Sequence, residues 1–156
     1  MSIDQLTASS TRIDDASTPR IYVGLSISFL GLLIFTIGAK PAWFGWDRSA
    51  VVGFVQIAVF LFGLALICLG GYISLHALWW GNERTIMSDI GSRLVWTGYV
   101  VTVFAGLADV IGMGSQSFPN VPYFGPWQAS GVLIGQGIIT IGFLLLIPYR
   151  FHKSAH

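Results

Sequence analysis

Four stretches of this chain, Ile21–Ala39, Val51–Trp79, Leu94–Met113 and Trp127–Tyr149, are apolar over the length of a membrane crossing and carry almost no charge. A hydrocarbon core of ~30 Å takes about 20 apolar residues at the helical rise of about 1.5 Å per residue. Backbone amides in lipid find no water to bond, so a spanning segment of this kind satisfies its own hydrogen bonds as a helix. The sequence therefore predicts an all-α fold, an integral membrane four-helix bundle over residues 21–149. Composition agrees, because 54% of the 156 residues are hydrophobic and only 10% are charged, an unusual mixture for a domain dissolved in water.

Residues 1–20 are rich in Ser, Thr and Asp and hold no apolar run, so they read as a disordered cytoplasmic tail and not as a signal peptide. Thr18 is a candidate N-cap for the first helix, with Pro19 at the first helical position, where its missing N–H costs nothing. Pro148 suits the end of the fourth helix and leaves 150–156 as a second short tail.

Orientation follows from the basic residues, since cytoplasmic flanks keep Lys and Arg during insertion. Arg12, Arg20, Arg84, Arg93, Arg150 and Lys153 flank one side, against Lys40 and Arg48 on the other. That split predicts a multi-pass protein of the plasma or inner membrane with both termini in the cytoplasm. Trp43, Trp46, Tyr123 and Trp127 fall at the outer boundary, and Tyr22, Trp79, Trp80, Trp96 and Tyr149 at the inner one, as interface anchors do. The uncharged outer loop Gly114–Pro126 is expected to rest against the outer leaflet or to fold over the bundle.

Small residues recur at helical spacing. Gly24, Gly31 and Gly38 are seven apart on the first helix, as are Gln56, Gly63 and Gly70 on the second. Gly98, Thr102, Ala105, Asp109 and Gly112 share a face of the third, and the fourth carries Gly131, Gly135 and Gly142. Such stripes let helix backbones approach closely, within the chain or between copies. A shift of 74 residues lays Gly24 on Gly98 and Gly31 on Ala105, while a shift of 79 to 81 lays Gly63 on Gly142 and Gln56 on Gln136. The pattern reads as two parallel two-helix repeats.

Asp109 is the only acidic residue in a predicted span, and a carboxylate in hydrocarbon needs a partner, water or a proton. Extrapolated along a straight helix, it reaches a depth similar to Gln56, with Gln136 somewhat deeper. These side chains would then line an intramembrane polar site, with Lys40 as a pairing partner for the acid. In the plainer of the two readings the glutamines are hydrogen-bonding glue between helices and Asp109 pairs with Lys40.

Catalysis finds no support. The chain has no HExxH, no GxSxG and no second cysteine to pair with Cys68, so no catalytic residue, metal or cofactor is predicted. A net charge of +1, with its basic residues scattered singly, argues against nucleic acid. The expected function is that of a non-catalytic accessory or assembly subunit, or a homo-oligomeric membrane module, whose partners are the lipid bilayer and either its own copies or other membrane subunits. The alternative is a small solute or proton-coupled transporter working through Asp109. A third reading is a site for a lipid-soluble molecule such as a quinone. The sequence names no small-molecule ligand.

Overall fold

The computed structural model describes residues 3–40, 43, 45, 53–79, 83–108, 111 and 125–148, with side chains from Thr18 onward. Among them are four helices and no strand: α1 (Ile3–Ala39), α2 (Phe54–Leu78), α3 (Ile86–Gly106) and α4 (Pro126–Leu146). The fold is all-α, as predicted. Three segments, Thr18–Ala39 of α1 and the whole of α2 and α4, are long and apolar enough to cross a membrane, which is consistent with a membrane protein.

Two boundaries differ from the sequence expectation. Helix α1 begins at Ile3, so the stretch expected to be a disordered tail is helical and Pro19 lies inside the helix, not at its start. The composition that suggested disorder reports missing hydrophobic burial and not backbone conformation, and Pro19 keeps a helical φ while supplying no N–H to the carbonyl one turn before it. Helix α3 starts eight residues before Leu94, because Thr85 caps it by accepting a hydrogen bond from the Ser88 N–H (3.3 Å) and Asp89 sits in its first turn. Hydropathy marks where charge stops, and capping chemistry marks where a helix starts. Helix α3 then ends at Gly106 with Leu107 as C-cap, and Asp109, Val110, Gly112 and Met113 of the predicted span lie outside the described residues.

The helices pair as two antiparallel hairpins, α1 with α2 and α3 with α4, and the hairpins meet through α2, which touches both α3 and α4. Glycine makes the pairing within each hairpin close. A methyl group placed on Gly24 would lie 2.7 Å from the Gly70 carbonyl oxygen, and one on Gly31 would lie 2.9 Å from that of Gly63. The second hairpin repeats the arrangement, with Gly91 against the carbonyl of Gly142 at 2.7 Å and Gly98 against that of Gly135 at 2.6 Å. Backbone occupies the space a side chain would need, so dispersion and Cα–H contacts act over the whole seam.

These contacts also fix which residues of the two hairpins are equivalent. The crossing nearer the loop is Gly31/Gly63 in one hairpin and Gly98/Gly135 in the other, and the farther crossing is Gly24/Gly70 in one and Gly91/Gly142 in the other. Gly24 thus corresponds to Gly91, and Gly63 to Gly135. A shift of 72 residues along α2 and α4 also aligns their N-caps, Gly53 and Gly125, and sets Gln56 level with Gln128. The sequence match of Gly24 with Gly98 and of Gln56 with Gln136 is therefore offset from the geometric one by roughly two helical turns. Glycines seven apart on each helix make neighbouring registers look alike in sequence.

Between the hairpins the core is small: Leu64 and Cys68 of α2 bury against Val95 and Ile139, with Phe35, Tyr99 and Phe143 packed around them. At the end of the bundle where α2 finishes, large side chains close the join. The Trp79 indole N–H donates to the Leu146 carbonyl at 2.8 Å, the Tyr72 and Trp96 rings lie 6.0 Å apart, and Phe143 covers Gly71.

Candidate functional site

At the opposite end, where α2 and α4 begin after Gly53 and Gly125, the hairpins stand apart and leave a cavity of about 380 Å³. Helix α1 lines it with Phe35, Gly38 and Ala39, α2 with Gln56, Ile57 and Phe60, and α3 with Gly106. The far wall is α4, through Ala129, Val132, Leu133 and Gln136. Gly38, Ala39, Gly106 and Ala129 leave this end with small side chains in the wall, whereas the other end of the bundle carries Tyr72, Trp79, Trp96 and Phe143.

The structure brings two of the predicted polar residues together, since Gln56 and Gln136 face the same cavity. Gln56 is the third residue of α2 and Gln136 the eleventh of α4. The helices start level, because Gly106 approaches Ile57 and Leu61 of α2 while Ala105 meets Gly131 of α4. Gln136 therefore lies ~12 Å deeper than Gln56. One glutamine marks the rim and the other the floor. Gln136 escapes the α3 seam because it follows Gly135, and one residue turns the side chain by about 100° away from it. Neither side-chain amide has a hydrogen-bond partner among the described residues, and the rest of the wall is apolar.

Asp109 lies outside the described residues. Its predicted depth assumed a straight helix running past it, and α3 ends three residues earlier, at Gly106. Lys40 follows the end of α1, exposed, with its ammonium 5.0 Å from the centre of the Trp43 ring, a cation–π contact. The predicted packing glycines all sit inside hairpins: Gly24, Gly31 and Gly38 face α2, Gly63 and Gly70 face α1, Gly98 faces α4, and Gly131, Gly135 and Gly142 face α3. The GxxxG of α4 is thereby occupied within the chain.

Sequence reasoning missed Gln128. It is 6% exposed, its side-chain oxygen accepts the Gly125 N–H at 2.9 Å, and its amide nitrogen has no partner among the described residues. The signal was present, since a glutamine three residues after the start of a helix reaches back to the cap. Gly91 was missed as well, as the fourth member of the second hairpin's glycine crossings.

None of the described residues in the cavity wall is ionisable. They offer apolar surface and two amides. Comparison with protein-family models, with curated proteins and with solved structures gave no match to this chain.

Proposed function

We propose that this chain is a multi-pass, non-catalytic membrane module that assembles with further membrane helices, either copies of itself or other subunits, with both termini in the cytoplasm. The observation that carries the reading is the position of α1, whose backbone comes close to that of α2 alone among the described helices. Its other face presents Tyr22, Leu25, Phe29 and Leu32, each at least half exposed. Helix α2 contacts all three other helices, and α3 and α4 contact two each. Orientation is supported by charge: Arg20, Arg84 and Arg93 gather at the Trp79 end, while Lys40 lies at the cavity end. The matching glycine crossings support two parallel two-helix units.

The experiment is to extract the full chain in mild detergent and measure its mass together with anything that travels with it. A whole-number multiple of the chain mass, or stoichiometric foreign subunits, is the expected result, and a solitary monomer overturns the reading. A second reading, a small solute or proton-coupled carrier, is favoured by the two glutamines meeting in one cavity. It requires Asp109→Asn to stop solute flux in vesicles while leaving the thermal stability of the protein unchanged.

A further inference from the structure

The cavity carries an inference that does not depend on whether α1 recruits a partner. An amide without a hydrogen-bond partner is costly in an apolar setting, and here Gln56 and Gln136, which find none among the described residues, line one space of about 380 Å³. That volume lies within the ordinary range of small-molecule sites, about 300 to 1,000 Å³. We propose that the cavity is a binding site for a neutral, lipid-soluble molecule with an apolar body and hydrogen-bonding oxygens, which the amides of Gln56 and Gln136 hold at its two ends.

Three observations select this chemistry over others. The described wall residues carry no charge to match a phosphate, a carboxylate or an ammonium group. Apolar side chains from α1, α2 and α4, together with Gly106 of α3, form most of the described surface, so a solute that is polar throughout would leave its own groups unpaired. The amides stand ~12 Å apart in depth, with Ile57, Phe60, Val132 and Leu133 between them, and so suit a molecule polar at separate points along an apolar frame. Carbonyl oxygens on such a frame occur in quinones and in glyceride lipids, and the cavity's recognition features are common to both.

The test uses the full chain in lipid nanodiscs and two probes, a benzoquinone with a ten-carbon tail and dioctanoylglycerol, each titrated while the intrinsic tryptophan fluorescence and the melting temperature are followed. Saturable binding of at least one probe is expected, and which one binds separates the quinone source from the glyceride. Gln136→Leu keeps the size and removes the amide, so it should weaken binding about tenfold, the equivalent of one lost hydrogen bond. Ala129→Phe fills the space and should abolish binding. Gly137→Ala, at a helix position with no neighbouring atom within 4 Å, serves as the folded control and should bind as the parent does. Absence of saturable binding by both probes, or binding unchanged in both Gln136→Leu and Ala129→Phe, overturns the proposal. A water-filled cavity would give the first of these results. Because the readout is ligand affinity, failure here leaves the mass measurement on the assembly untouched, and the reverse holds too.

Discussion

The two ends of this bundle are built from the same kind of helix and join in different ways. Where α2 ends, Trp79 and Tyr72 reach across to α4 and α3, Phe143 of α4 reaches back to Gly71, and the hairpins are sealed. Where α2 begins, glycine and alanine face the gap and a cavity remains. Within each hairpin, by contrast, small residues bring helices together instead of holding them apart. A small residue allows close approach only where the opposing backbone advances into the space it leaves. The antiparallel partners of a hairpin do so at Gly31/Gly63 and Gly98/Gly135, and the facing walls of the cavity do not.

The largest expected effect tests the hairpin seam. Gly135→Leu would drive a side chain into the Gly98 carbonyl, which already lies 2.7 Å from a methyl group at that position. A loss of about 3 kcal/mol or more is expected, read as a lowered melting temperature by circular dichroism in detergent. Gly137→Leu, two residues away and facing open space, should leave the melt nearly unchanged. Equal effects from the two would break the distinction between seam and surface.

A smaller loss is expected at the sealed end. Trp79→Phe keeps most of the ring and removes the donor to Leu146, a hydrogen bond between hairpins worth about 1 kcal/mol. Amide exchange should rise around Leu146 and stay unchanged around Gly38 if the two ends are energetically separate. The smallest effect should have the opposite sign. A methyl group on Gly106 would meet Ile57 and Leu61 of α2 at 3.5 and 3.6 Å, ordinary contact distances, so Gly106→Ala should raise stability by somewhat under 1 kcal/mol through helix propensity and added contact. Destabilisation there as large as at Gly135 would mean that the cavity end is packed as tightly as the seams.

What the sequence determined by itself was the set of local properties. The segments of α1, α2 and α4 able to cross a membrane follow from their apolar runs, because hydropathy and rise per residue are summed along one segment. The stripes of Gly24 and Gly31, and of Gly63 and Gly70, were readable because side-chain size and the helical period decide which face can approach a neighbour. Helix ends were legible only in part: Pro148 follows α4 as expected, but Thr85 and not Leu94 opens α3, since a cap is set by one hydrogen bond and hydropathy averages over many residues. The site was half legible. Gln56 and Gln136 were singled out and do share a cavity, although through a height difference and not through the register match that first paired them. Only the tertiary structure decided which glycine meets which and that the hairpins close at one end and part at the other. The first depends on the height of each helix against its partner and the second on how the two hairpins meet, and both are set by contacts between residues far apart in the chain, where a glycine every seventh residue offers several registers and only packing of the whole selects one.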